Sequence, residues 1–325
     1  MGHYHPAWFA PGPHLKTVWG RLTGRRLALP ARMERFTTPD DDEVELRRLD
    51  PPGAAATAPR LLLLHGLEGG LHSHYVANFA AESLVRGWGM DLLIFRGCNG
   101  ELNRQPRFYH SGETTDLDFV LSQLIAGAPA VPRLLAGVSL GGNVLLKWLG
   151  ERGGQVPPQV KGAAAMSVPY DLARGCRYIS QGFSQVYERH FLRSLKEKAL
   201  RKLDRYPGAF DRDAVLRART LWDFDDAVTA PLHGFAGAAD YYRRSSSLGY
   251  LHDIRLPTLL LSAEDDPFLP REVLDEVREI ARGNPALELE FVRRGGHVGF
   301  VSGRIPWRSR YWGEWRVLQF LMETL

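Results

Sequence analysis

The sequence predicts an α/β fold, a mostly parallel central sheet with helices on both faces and a helical cap inserted over one end. Three observations predict it. Short apolar runs bounded by turn residues, Leu61–Leu64, Met90–Phe95, Arg133–Val138, Ala163–Val168, Thr258–Ala263 and Leu287–Val292, alternate with helical stretches. Runs that are continuously apolar mark strands buried on both faces. The interval from Tyr170 to Leu256 carries no comparable run, and a Gly-x-Ser-x-Gly stretch, residues 137–141, sits where one strand meets the helix after it. At 325 residues and 44% hydrophobic content, one domain over 1–325 is expected, with the cap, residues 170–256, inserted within it.

Taken in order, residues 1–30 hold aromatics and prolines, then Leu15, Val18, Trp19 and Leu22 at helical spacing, and read as an arm that packs on the body. Glu34–Thr37 and Glu43–Arg47 flank Pro39-Asp40-Asp41-Asp42, a turn signal, and predict an antiparallel hairpin at the sheet edge. After a Pro/Ala-rich link from Pro51 to Pro59, the first parallel strand ends in His65-Gly66-Leu67-Glu68-Gly69-Gly70, before a helix from Ser73 to Arg86. Within the cap, Tyr187, Phe191, Leu195, Ala199 and Leu203 form a helical stripe. Arg189, Arg193, Lys196, Arg201 and Arg205 lie opposite it, a solvated face for which weak contact with an anionic membrane surface is the alternative.

Several classes are excluded. Two cysteines, Cys98 and Cys176, make no disulfide framework, and their separation matches no metal-ligand spacing. The net charge of +4 comes from arginines spread along the chain, without an RNA-binding signature, zinc-finger spacing or Walker loop, so no nucleic-acid partner is expected. No apolar stretch approaches the ~20 residues of a membrane span, and the first residues lack the plan of a secretion signal, so a cytoplasmic protein is expected. His72 and His74 lie close together without a further ligand, so neither zinc nor any other metal is expected, and no cofactor. His65 reads as structural.

The chemistry centres on Ser139. A serine between strand and helix, flanked by glycines, occupies a tight turn that projects its hydroxyl above the strand ends, with the Leu140 N–H aimed at a developing oxyanion. Serine is a weak nucleophile at neutral pH and needs a base, which in turn needs an orienting carboxylate. Asp265-Asp266 follows the strand Thr258–Ala263, and Gly295-Gly296-His297 follows Leu287–Val292. Ser, Asp, His is the chain order of α/β-hydrolases. The spacing of Ala263, Asp266 and Pro270 matches the small-x-x-Asp-x-x-x-Pro arrangement of many of them and selects Asp266 over Asp265. The loop after the first parallel strand supplies the second oxyanion donor in this fold, here the Leu67 N–H.

His65–Gly69, Phe95–Gly100, Tyr109–Thr114, Gly137–Asn143, Thr229–Phe235, Gly295–Phe300 and the opening Pro13–Thr17 together resemble the YheT-like branch of the α/β-hydrolases, over nearly the whole chain. That branch holds bacterial esterases and eukaryotic membrane-anchored lipid hydrolases. The resemblance implies Ser139, Asp266 and His297 as the charge-relay residues and carboxylic ester hydrolysis without a cofactor. Asn99 stands where a small serine is expected, and the Arg96–Gly100 and His110–Glu113 motifs have no role derivable from sequence; Arg96 reads as an ion pair that holds its loop, with binding of a substrate carboxylate or phosphate as the alternative. The cap, rich in Tyr, Phe, Trp and Leu, is expected to roof an apolar pocket for uncharged esters of short to medium acyl chains. Thioesterase, amidase and acyltransferase chemistry with the same three residues stay open, as does a non-catalytic binding protein on a hydrolase scaffold.

Overall fold

The protein is described by a computed structural model covering residues 2–24, 27 and 30–325. Eight strands form one sheet: β1 Arg32–Thr37, β2 Glu43–Leu49, β3 Arg60–Leu64, β4 Gly89–Ile94, β5 Arg133–Val138, β6 Val160–Met166, β7 Thr258–Ala263 and β8 Leu287–Val292. Their order is β1-β2-β4-β3-β5-β6-β7-β8. β1 and β2 are the antiparallel edge hairpin, β2 runs antiparallel to β4, and every later pairing is parallel. β5, β7 and β8 have the limits expected from sequence. β6 is displaced from the expected Ala163–Val168: it begins at Val160, where pairing with β5 outweighs the charge of Lys161, and ends at Met166 because Ser167 turns to φ 54°.

Among the described residues twelve α-helices accompany the sheet: α1 Gly12–Thr23, α2 His74–Val85, α3 Thr115–Gly127, α4 Leu140–Arg152, α5 Leu172–Ile179, α6 Gln185–Arg205, α7 Arg212–Arg217, α8 Leu221–Phe224, α9 Ala230–His233, α10 Ala238–Ser245, α11 Arg271–Arg282 and α12 Trp312–Glu323. The apolar runs of the inner strands are used on both faces, since successive side chains point to opposite sides, whereas β8 at the edge alternates and its Glu288 and Glu290 pair with Arg316. On β3, Leu62 and Leu64 join the core beneath α3, α4 and α11, while Leu61 and Leu63 join the core beneath α2 and α12. α5 to α10 all fall between β6 and β7, and α6 to α8 share a separate apolar cluster around Leu192, Ala199, Phe210 and Val215. Arg189, Arg193, Arg201 and Arg205 are exposed on α6. No described helix is long and apolar enough to cross a membrane.

Arg96, which sequence left between a loop-holding ion pair and a contact to a substrate anion, is an ion-paired hub at the sheet's edge. It is 2% exposed, and its guanidinium donates to both oxygens of Asp116 at 2.8 and 2.6 Å, to Asp42 at 3.0 Å and to Asp40 at 2.8 Å. The hairpin turn is thereby fastened to the loop after β4 and to the start of α3. Asn103 adds a bond to Asp42 at 2.5 Å.

Removing one partner of such a group leaves buried charge uncompensated, a loss of about 3–5 kcal/mol. Arg96→Met is therefore expected to lower the denaturant-measured unfolding free energy by at least about 3 kcal/mol. A loss below about 1 kcal/mol would mean that solvent reaches Asp42 and Asp116 and that the hub carries little of the fold.

Candidate active site

β5 is central in the sheet, and the chain leaves its end through Ser139 into α4. Ser139 has φ 54° and ψ −120°, a conformation uncommon for any residue with a Cβ. The neighbouring glycines permit it. A Cβ on Gly137 would stand 2.4 Å from the Gly141 carbonyl oxygen, and one on Gly141 would stand 2.5 Å from the carbonyl oxygens of Leu64 and His65. The Gly-x-Ser-x-Gly pattern thus records how closely α4 is pressed against β3 and β5.

The structure brings Ser139, His297 and Asp266 into one hydrogen-bonded row. His297 Nε2 lies 2.9 Å from Ser139 Oγ, and His297 Nδ1 lies 2.9 and 3.1 Å from the two Asp266 oxygens. Both Asp266 and His297 are buried. With the imidazole proton on Nδ1, facing the carboxylate, Nε2 is left to accept from the serine hydroxyl. Asp265 has a different place: its Oδ1 accepts from the N–H groups of Gly295 and Gly296 at 2.7 and 2.8 Å, bracing the turn that carries His297.

Two further supports of His297 carry no sequence signal of their own. Phe268 stacks on its ring, with centroids 4.0 Å apart and planes 22° apart. Thr17, on the N-terminal arm, accepts the His297 backbone N–H at 2.9 Å, so the arm helps to position the histidine as well as packing on the body.

Leu67 and Leu140 both line the cavity beside Ser139. The Leu140 amide belongs to the first turn of α4, where N–H groups have no partner within the helix. On either side of Leu67 the Gly66 N–H donates to Tyr75 Oη and the Glu68 N–H to Tyr109 Oη, both at 2.8 Å. Glu68 has φ 52°. Its carboxylate accepts from Tyr109 Oη at 2.9 Å and from two groups on cap helix α6, Ser194 Oγ at 2.5 Å and Lys198 Nζ at 2.6 Å. Burial pushes this carboxyl up, but Lys198, Ser194 and Tyr109 outweigh that and hold it below its ordinary value.

Ser139 and His297 stand between two spaces. One is a cavity of about 140 Å³ under the cap, walled largely by apolar groups including Pro169, Leu172, Ile179, Phe191 and Leu195. The other is an open groove of about 1000 Å³ bordered by α1, the loop after β3 and the side of α6, with Arg21, Arg47, His72 and His190 on its walls.

The other sequence candidates lie outside this row. His65 is fully buried and accepts the Phe95 N–H on Nε2 at 3.2 Å, which leaves Nδ1–H to donate to the Gly66 carbonyl at 2.8 Å. Burial pushes its pKa down to about 4, so it is a neutral brace between β3 and β4. Cys98 lies 3.6 Å from Lys198 Nζ, and burial pushes its thiol up to about 11, a poor nucleophile. Among the described residues one trio, His110, Glu113 and His233, has ligand atoms within 4.8 Å of one another. Its donors fit a cation badly. Glu113 already accepts from Arg107 at 2.8 Å and from the Thr115 N–H at 2.8 Å, and His110 Nδ1 accepts from the Gly112 N–H.

A family model described as the alpha/beta hydrolase fold matches residues 59–303. YheT of Escherichia coli strain K12, which carries a provisional esterase name, is 38% identical over 96% of this chain and 91% of its own length. Phospholipase ABHD3 of Mus musculus is 30% identical over 86% of this chain and 69% of its own. Among solved structures, the esterase Pf2001 of Pyrococcus furiosus aligns with a TM-score of 0.58 at 19% identity, covering 91% of this chain and 93% of that one, a likeness of fold.

Lys198→Met removes the cation facing Glu68, whose side chain is 10% exposed, and is expected to cost about 3 kcal/mol in a denaturant titration. The contact is also acid-sensitive: the folded carboxyl titrates below its ordinary value of 4.5, so its contribution is complete above that pH and is lost as the pH falls further. A Lys198→Met protein as stable as the parent from pH 7 to pH 4 would show that Ser194 and Tyr109 suffice to hold Glu68.

Proposed function

This chain belongs to the YheT-like branch of the α/β-hydrolase family, and we propose that it is a serine carboxylic ester hydrolase acting through an acyl-enzyme. The observation that carries the proposal is the row Ser139 Oγ, His297 Nε2, His297 Nδ1, Asp266, ending beside an apolar cavity. Ser139 attacks the ester carbonyl while His297 takes its proton, and Asp266 stabilises the imidazolium. The N–H groups of Leu67 and Leu140 receive the oxyanion. His297 then protonates the departing alcohol, and in the second half it activates water to release the acid.

The alcohol side leaves through the open groove and the acyl chain occupies the cavity under the cap. A 150 Å³ apolar cavity holds a benzene-sized ligand, so about 140 Å³ suits an acyl tail of some four to six carbons. Each methylene buried there adds about 0.8 kcal/mol, close to fourfold in the specificity constant, until the cavity is full.

Ser139→Ala is expected to abolish labelling by a fluorophosphonate and to lower ester turnover by at least about a hundredfold without unfolding the protein. Residual activity above that level would remove Ser139 from the mechanism. Asp266→Asn, which favours the wrong imidazole tautomer, should reduce kcat by about 10³–10⁴-fold. Asp265→Asn keeps an acceptor for the two glycine amides and should cost less than about tenfold, and the opposite ranking would exchange the two roles. Across nitrophenyl esters, kcat/KM should rise from acetate to about hexanoate and then fall. A steady decline from acetate would contradict the acyl cavity and leave the serine mechanism standing.

A further inference from the structure

The cavity under the cap is not apolar throughout. Asp225, Thr229 and Tyr242 line it together with Ser139 and His297. Asp225 opens a single turn of π-helix, Asp225–Thr229, between α8 and α9, and such turns inside helical segments recur at functional sites. Its side chain accepts from Thr229 Oγ1 at 2.5 Å through Oδ1 and from Tyr242 Oη at 2.6 Å through Oδ2. A carboxylate offers about four acceptor positions, so two remain.

Three features separate Asp225 from an ordinary structural acid. No cation among the described residues pairs with it; burial pushes its carboxyl up to about 6, offset in part by the Thr229 and Tyr242 hydroxyls alone. It keeps accessible surface although it lies deep in the cap, and it stands on the wall of the cavity. Its neighbours Asp223 and Asp226, by contrast, are exposed, and their carboxylates accept local backbone N–H groups. A buried acid that faced only apolar groups would be a pure cost, one that a ligand donor offsets.

We propose that Asp225 and Tyr242 form a polar subsite of the acyl cavity that takes an uncharged acyl chain bearing a hydroxyl group, whose O–H donates to the Asp225 carboxylate. This rests on ester hydrolysis at Ser139 and narrows its substrate to esters of hydroxy acids. An ammonium-bearing chain fits less well. It brings three donors to one free carboxylate edge, and Lys198 lines the same cavity with a like charge.

The test compares methyl hexanoate with its 3-, 4-, 5- and 6-hydroxy derivatives and with methyl 6-aminohexanoate, by titration of released acid near pH 7.5. At least one hydroxy ester is expected to exceed methyl hexanoate in kcat/KM by about tenfold or more, and Asp225→Asn should reduce that ratio at least fivefold. Failure of every hydroxy ester to exceed the plain ester would overturn the subsite while leaving hydrolysis at Ser139 intact. A ratio unchanged in Asp225→Asn, or the amino ester preferred to every hydroxy ester, would overturn it as well. If no ester were hydrolysed, calorimetric binding of the matching hydroxyhexanamides and of hexanamide to the Ser139→Ala protein would decide separately. Tighter binding of a hydroxyamide sustains the subsite, and equal binding ends it.

Discussion

Ser139 is held in a backbone conformation that costs about 1–3 kcal/mol, and the centre of the molecule is arranged so that it has no alternative. Its N–H is tied to Met166 of β6 at 2.8 Å, and its carbonyl accepts the Asn143 N–H at 3.1 Å. Asn143 is itself fully buried. Its amide donates at 2.7 Å to the carbonyls of Ser111 and Ser245 and accepts the Ser247 N–H at 2.9 Å. One residue in the first turn of α4 therefore holds the strained serine through its backbone N–H, and the loop before α3 and the segment where the cap returns to the sheet through its side chain. A polar group this deep is tolerable because each of its hydrogen bonds is made.

The histidine is governed the same way from outside its own loop. Asp265 grips the glycine backbone, Phe268 fixes the ring plane and Thr17 takes the His297 N–H. Adjacent aspartates thus divide two tasks, one toward the main chain and one toward the imidazole. The N-terminal arm, distant in sequence from every other part of the site, becomes part of its scaffold.

The sheet, the edge hairpin, the helical insertion and the three residues in the row were all legible in the sequence, because each leaves a local mark. Buried parallel strands need unbroken apolar runs, a strained serine needs small neighbours, and a loop at a strand end needs a turn. What escaped was long-range. Lys198 looks like one more charge on a basic helix until Glu68 is seen 130 positions away in the chain. Asp225 sits between the exposed acids Asp223 and Asp226 with nothing in the sequence to set it apart, and only the packing of the cap turns it inward. Thr17 and Phe268 belong to an arm and a turn whose patterns say nothing of where they dock. The limit at β6 moved for a related reason, since pairing with β5 decides where the strand begins and a single reversed φ at Ser167 decides where it stops.

The contact of Ser194 and Lys198 with Glu68 bears on how molecules travel to and from the serine. It ties the longest cap helix to the loop that follows β3, and lifting that helix would break an ion pair whose Lys198 and Glu68 side chains are 12% and 10% exposed. The contact resists movement of the cap, and the groove beside α1 opens directly onto Ser139 and His297. On the proposed ester hydrolysis, a reactant would pass the serine acyl end first and seat its chain in the cavity under the cap. On the same proposal the alcohol would stand on the groove side of Ser139 and leave first, and the acid would follow from the cavity after deacylation.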